Sequence, residues 1–158
     1  MNRREIVASH PILIVEDSAE DFEATRRAFQ KVGISNPIVH CEDGDDALDY
    51  LYGRGRFAGD PEQTKPIVIL LDLNLPGTDG REVLQTIKTD PQLKSIPVII
   101  LTTSADDRDI NACYAMGANS YVQKPVNLSG FLESMQRIKD YWFDIVLLPR
   151  IEMTDSRF

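Results

Sequence analysis

Lys65-Pro66-Ile67-Val68-Ile69-Leu70-Leu71-Asp72-Leu73-Asn74-Leu75-Pro76-Gly77-Thr78-Asp79-Gly80 carries the pattern around which the rest of the chain is arranged. From Ile67 to Leu71 it is apolar without interruption; then come one carboxylate, Asp72, and a cluster of turn residues. A continuous apolar run of strand length predicts a strand buried on both faces, as in parallel sheets. Asp72 then stands at the carboxyl end of a central strand, where open α/β sheets keep their binding crevice. A carboxylate there is either a cap on the following turn or a working group. The residues that the fold brings beside it decide between the two.

Outward from this stretch the pattern repeats. Pro11-Ile12-Leu13-Ile14-Val15 is an apolar run ending in Glu16-Asp17, and Pro97-Val98-Ile99-Ile100-Leu101 is another ending in Thr102-Thr103-Ser104. Ser120-Tyr121-Val122-Gln123 reads as a further strand, ending in Lys124-Pro125. Pro37-Ile38-Val39-His40-Cys41 is less uniformly apolar and is expected at a sheet edge. Helical segments separate these runs. Ser18 is a good N-cap, Asp21 suits the helix dipole, and Phe22, Ala28, Phe29 and Val32 share one face before Gly33 stops the helix. A second helix opens at Asp43-Gly44 and is expected to turn Ala47, Leu48, Leu51 and Tyr52 inward. Gly53 to Pro66 reads as a long surface loop, either functional or a tolerated insertion. Asp79 with Glu82 resembles a capping box, followed by a buried stripe of Val83, Leu84 and Ile87. A fourth helix spans about 105–116, and Asn127 caps a last one carrying Leu128, Phe131, Leu132, Met135 and Ile138 at helical spacing.

Strand and helix alternate five times. This predicts an α/β fold: a doubly wound, five-stranded parallel sheet with five helices, joined by right-handed crossovers. The expected organisation is an N-terminal extension over 1–10, one domain over 11–149 and a polar tail over 150–158. The segment Tyr141-Trp142-Phe143-Asp144-Ile145-Val146 is more apolar than a last surface helix requires. It either folds back on the core or forms an interface between two copies, with Tyr141, Trp142, Phe143, Ile145 and Val146 as the candidate contacts.

Composition narrows the function. The net charge of −8 over 158 residues argues against direct nucleic-acid binding and fits a protein that meets cations or basic protein surfaces. There is no run of transmembrane length and no signal-peptide h-region, so a cytoplasmic protein without membrane contact is expected. Cys41 and Cys113 follow no disulfide or metal spacing and read as small, half-buried thiols.

Parallel strands all point the same way, so Glu16, Asp17, Asp72, Thr102 and Lys124 converge on one edge of the sheet. Three carboxylates packed together repel one another and need a cation. Lys124 supplies one, and hard oxygen ligands select Mg²⁺ or a similar ion as another. A hydroxyl and an ammonium suit the oxygens of a transferred phosphoryl group, and a carboxylate can be its acceptor. The edge therefore reads as a Mg²⁺-assisted phosphoryl acceptor.

With these residues in place the chain resembles the receiver domain of two-component response regulators. The resemblance rests on Val15-Glu16-Asp17, Leu71 to Gly80, Pro97 to Thr102 and Gly117 to Pro125. It implies the flavodoxin-like receiver fold, with Asp72 taking phosphate from a histidine of a sensor kinase. It further implies Mg²⁺ on Asp17, Asp72 and the backbone carbonyl of Asn74, with Glu16 acting through water. Thr102 and Lys124 would bind phosphoryl oxygens, Tyr121 would turn inward as Thr102 moves, and the Lys124–Pro125 bond would be cis. A finer resemblance is to the single-domain regulators of bacterial and cyanobacterial phytochromes. It is carried by Glu16 to Asp21, the loop from Gly53 to Pro66, Leu71 to Leu84, and Tyr141-Trp142. It implies a light-linked histidine kinase as partner and a homodimer built on the last helix.

Three other classes share part of this pattern. A receiver can serve as a relay or sink for a kinase unrelated to light. An aspartyl phosphatase would place a second aspartate two residues after its nucleophile as acid and base; Asn74 cannot do that work, although Asn74 and Ser104 could line the path of a water that hydrolyses the protein's own phosphoryl group. A flavodoxin-like cofactor binder would need a phosphate-cradling loop after the first strand, where Glu16-Asp17 would repel a phosphate in the absence of a metal.

Overall fold

The computed structural model describes residues 2–61 and 63–149. In chain order the elements are α1 (Arg3–Ser9), β1 (Ile12–Val15), α2 (Ala19–Val32), β2 (Ile38–Cys41), α3 (Gly44–Tyr52), a 3₁₀ turn (Gly55–Phe57), β3 (Val68–Leu71), α4 (Gly80–Thr89), β4 (Val98–Thr102), α5 (Asp107–Met116), β5 (Ser120–Gln123), α6 (Leu128–Ile138) and a π-helical continuation (Lys139–Ile145). The strands form one sheet in the order β2-β1-β3-β4-β5, every neighbour parallel. The expected doubly wound five-stranded sheet is present. The five expected helices are α2 to α6, and α1 is an addition that the sequence reading did not foresee.

Every residue of β1, β3 and β4 is buried, as their unbroken apolar runs require, whereas β2 is only half covered and lies at an edge. The helices begin where their caps dictate. Ser18, Asp43 and Asn127 accept the N–H of Asp21, Asp46 and Gly130. At α4 the expected capping box is replaced by another contact: Asp79 accepts from the Arg81 N–H and grips the Arg81 guanidinium. An arginine at that position competes with the box for the same carboxylate. Within α3 the inward residue is Tyr50, not Tyr52. Tyr50 is buried and donates to the Thr64 carbonyl, while Tyr52 is 41% exposed and donates to Asp90. Leu128 is likewise exposed, at the start of α6. Both cysteines are fully buried rather than half-buried.

The loop before β3 is anchored to α3. Arg56 donates two bonds to Asp46 and lies over the Phe57 ring; Arg54 pairs with Asp49; Phe57 packs edge-on against Tyr50. Ahead of β1, α1 is held by Arg3, which donates to the Leu148 carbonyl, and by Asn36, which donates to the Val7 and His10 carbonyls. The apolar segment after α6 divides its faces. Trp142, Phe143 and Val146 are partly buried against the core, whereas Tyr141 and Ile145 are 55% and 70% exposed. The tail expected over 150–158 lies outside the described residues. Among the described residues no helix is long and apolar enough to cross a membrane.

Phe29, on α2, is fully buried in the hydrophobic core. Phe29→Ala should cost about 3–5 kcal/mol, the sum of lost transfer energy and an unfilled cavity. A lower urea midpoint with unchanged slope is the expected result; a shift below about 1 kcal/mol would show that α2 can collapse onto the gap.

Candidate functional site

The sheet register builds the site. Val15 is level with Cys41 on one side and Leu71 on the other. Ladder bonds continue one residue past the strands. The Glu16 N–H donates to the Cys41 carbonyl at 3.0 Å, the Asp72 N–H to Val15 at 3.1 Å and the Lys124 N–H to Thr102 at 2.7 Å. The backbones of Glu16, Asp72 and Lys124 are therefore fixed by the same hydrogen bonds that hold the sheet, and their side chains meet beyond its edge.

Glu16, Asp72, Thr102 and Lys124 are all buried, and Asp17 is exposed at the rim. The Lys124 ammonium donates to Asp72 Oδ2 and Asp21 Oδ2, both at 2.9 Å, and to Glu16 Oε1 at 2.5 Å. The other Asp72 oxygen, Oδ1, accepts from Thr102 Oγ1 at 3.0 Å and from the Asn74 N–H at 3.2 Å. Carboxylate oxygens of Glu16, Asp17 and Asp72 all lie within 4.8 Å of one another, a group that could hold a metal ion. Among the described residues the Asp17 side chain makes no hydrogen bond or ion pair, so it is available to a ligand.

The electrostatics follow from crowding. Burial pushes the Glu16 carboxyl up to about 7; the Lys124 contact opposes this and the Asp72 charge adds to it. Burial by itself would lower the Lys124 ammonium, but bonds from Glu16, Asp72 and Asp21 outweigh it and hold the group above its ordinary value. One ammonium thus serves three carboxylates, and the Asp17 charge at the rim adds to that excess of negative charge. A divalent cation fits that excess.

The structure brings together Glu16, Asp17, Asp72, Thr102 and Lys124 as expected. Asn74 places its N–H on Asp72 and its side chain in solvent. Tyr121 is half-buried, and its hydroxyl donates to the Ser104 carbonyl at 3.0 Å. The Tyr121 N–H in turn donates to the Tyr114 hydroxyl at 3.1 Å. The peptide before Pro125 departs from expectation: there is no cis bond among the described residues, and trans is the commoner form even before proline. Sequence reasoning assigned Asp21 only to the helix dipole and missed its bond to Lys124. The signal was its place in the first turn after Glu16-Asp17, with Ser18 already serving as the cap.

Gly80 was not singled out either. A Cβ there would lie 2.2 Å from the Asp72 carbonyl oxygen and 2.6 Å from Leu73 Cα. At the start of α3, a Cβ on Gly44 would lie 1.9 Å from the Thr78 carbonyl oxygen. The turn from Leu73 to Asp79 is therefore wedged between two helix N-termini that only glycine allows to come so close.

Fold and site together define a phosphoacceptor module, and the chain belongs to the response regulator receiver domain family, whose model matches residues 12–136. It is 40% identical over 138 residues to the response regulator Rcp1 of Synechocystis, covering 87% of this chain and 92% of that one. The Mn²⁺-bound structure of Rcp1 superposes with a TM-score of 0.82 at 39% identity, over 89% of this chain and 99% of the other. The phosphorylated cyanobacterial phytochrome response regulator RcpA superposes with a TM-score of 0.84 at 38% identity, over 90% and 100%. A probable methanogenesis regulatory protein, FilR2 of Methanothrix harundinacea, is also 40% identical, over 134 residues, covering 83% of this chain and 82% of that one.

Proposed function

We propose that this protein accepts a phosphoryl group on Asp72 from the phosphohistidine of a sensor histidine kinase, in particular a phytochrome-type kinase, and signals by a change in its protein contacts. The observation that carries this reading is the pair of donors already resting on Asp72: Thr102 on one oxygen and Lys124 on the other. In the transfer, an Asp72 oxygen attacks phosphorus, the P–N bond to the kinase histidine breaks, and the histidine keeps the electron pair. Thr102 and Lys124 then donate to phosphoryl oxygens instead of carboxylate oxygens.

Glu16, Asp17, Asp72 and the Asn74 carbonyl would hold Mg²⁺, with Glu16 acting through water. Bound there, the ion neutralises the crowded carboxylates and the phosphoryl oxygens. The crowding of Glu16, Asp17 and Asp72 fits a hard divalent ion. The added charge draws Thr102 and shifts Tyr121 between two positions, an equilibrium that phosphorylation biases. Residues 1–10 form an extension, 11–149 the receiver domain and 150–158 a tail. The exposed Tyr141 and Ile145, with Trp142, Phe143 and Val146 beside them, form the face of a homodimer. Neither nucleic acid nor membrane is a direct partner, and the protein works in the cytoplasm. Hydrolysis of its own phosphoryl group is the residual chemistry. The resemblance to FilR2 supports a second reading, a receiver for a kinase with no link to light.

The test is phosphotransfer from a panel of labelled histidine kinases that includes phytochromes, with Mg²⁺ or with EDTA, followed by sizing with and without phosphate. Label should move to this protein from a phytochrome kinase in Mg²⁺ and stay on the kinase in EDTA. Transfer only from kinases outside the light-sensing group would select the second reading. Transfer that persists in EDTA would remove the metal from the mechanism.

A further inference from the structure

Ser104 lies two residues past Thr102, whose hydroxyl donates to Asp72, in the loop that runs from β4 into α5. A polar chain ties this loop to the start of α4. Arg81 Nη1 donates to both Asp79 carboxylate oxygens, at 3.2 and 3.0 Å. Its Nε and Nη2 donate to Asp109 Oδ1 at 3.1 and 2.7 Å. The other Asp109 oxygen accepts from the Ser104 hydroxyl at 2.8 Å. Ser104 Oγ accepts from the Asp106 N–H at 3.2 Å, and the Ser104 carbonyl accepts from the Tyr121 hydroxyl at 3.0 Å. The chain runs unbroken from Asp79, at the end of the turn that follows Asp72, to Tyr121.

Arg81 makes no hydrogen bond or ion pair to Glu16, Asp17, Asp72, Thr102 or Lys124, and its guanidinium bonds go to Asp79 and Asp109. An arginine is suited to this place. Its planar fork holds the two carboxylates in a set geometry, where a lysine would present a flexible point charge. Asp109, so fixed, has its second oxygen aimed at Ser104, and Ser104 is fixed in turn by three hydrogen bonds, two at its hydroxyl and one at its carbonyl.

We infer that Arg81 is a positioning residue which, through Asp109 and Ser104, holds the β4–α5 loop beside the phosphoryl site and so sets how long the phosphoryl group survives attack by water. The inference rests on the proposed acceptance of a phosphoryl group by Asp72. In the hydrolysis a water oxygen attacks phosphorus and the bond from phosphorus to the Asp72 oxygen breaks. Inorganic phosphate leaves, the carboxylate is restored, and the water's proton passes to bulk solvent. A loop released from Asp109 admits water more readily. The same release frees the Ser104 carbonyl and loosens the anchor of the Tyr121 hydroxyl.

The experiment follows the decay of labelled phosphoryl protein in Mg²⁺ for the wild type, Arg81→Ala, Arg81→Lys, Asp109→Asn, Ser104→Ala and the double variant Arg81→Ala/Ser104→Ala. Arg81→Ala should speed decay about 3–10-fold, the range of coupling residues remote from the chemistry. Asp109→Asn keeps the side-chain shape but offers Ser104 an amide in place of a carboxylate oxygen, and should do the same even if Arg81→Ala folds poorly. Arg81→Lys should fall between wild type and Arg81→Ala. The double variant should decay no faster than the faster single, because both substitutions break one chain. A purely structural bridge between α4 and α5 would lower the thermal midpoint and leave the decay unchanged. Wild-type decay in both Arg81→Ala and Asp109→Asn, or rates that multiply in the double variant, overturns the inference alone. A wild type that takes no label removes the phosphoacceptor reading and this inference with it.

Discussion

Asp72→Asn should fold and take up no phosphoryl group. The substitution keeps the shape of the side chain, and its amide oxygen can still accept from Thr102, which reaches Oδ1 at 3.0 Å. Lys124 loses one of three carboxylate partners and keeps Glu16 and Asp21. The buried ammonium therefore remains paired, and the stability should stay within about 1 kcal/mol of wild type. The chemistry does not survive. An amide lacks the anionic oxygen that attacks phosphorus, so transfer should fall by at least about 10³-fold, as expected when a nucleophile is removed. The measurement is label transfer from a charged kinase, paired with a urea curve on the same sample. A labelled, stable Asp72→Asn protein would show that another residue is the acceptor.

Gly80→Ala should damage both the fold and the site. The added methyl meets backbone on three sides: the Asp72 carbonyl oxygen at 2.2 Å, Leu73 Cα at 2.6 Å and the Leu73 carbonyl oxygen at 2.9 Å. None of these can rotate away as a flexible side chain would. Either α4 retreats from the sheet, exposing Val83, Leu84 and Ile87, or the turn after β3 moves and takes Asp72 with it. The loss should be about 2–4 kcal/mol, outweighing the gain in helix propensity of about 1 kcal/mol for alanine over glycine. Phosphoryl uptake by the folded fraction should fall as well, because the acceptor is displaced from Thr102 and Lys124. Gly59→Ala is the control, since a Cβ there meets nothing within 4 Å and only its φ of +74° is strained. A loss at Gly80→Ala no larger than the loss at Gly59→Ala would show that α4 and the turn yield to the added methyl at little cost.

The sheet and its site were legible for one reason. Both follow from runs of buried residues whose ends are polar. Once Ile12–Val15, Val68–Leu71 and Val98–Thr102 are recognised as parallel strands, Glu16, Asp72 and Thr102 have no other place to be. What escaped reading was set by contacts between elements far apart in the chain. Asp21 bonds Lys124 across 103 positions, and Arg81 bonds Asp109 across 28. No local periodicity carries such information. The phase error between Tyr50 and Tyr52 has a similar origin. Two tyrosines two positions apart lie on different faces of a helix, and the loop that anchors Tyr50 through the Thr64 carbonyl decides which is buried. The helix α1 was missed because seven residues are too few for a periodic signal. Its cap, in which Asn2 and Glu5 satisfy each other's backbone, was there to be read.

The bond between Tyr114 and Tyr121 has a consequence for colloidal behaviour. β5 is an edge strand, and edge strands offer unpaired N–H groups on which the strand of another molecule can align, the first step towards aggregates. In the middle of β5 that position is already taken, because the Tyr114 hydroxyl of α5 accepts the Tyr121 N–H. A foreign strand that reaches this edge finds its central donor occupied by a side chain rather than by water. It must displace a phenol before it can pair. The molecule thus blunts an open flank of its sheet with a hydroxyl from its own neighbouring helix.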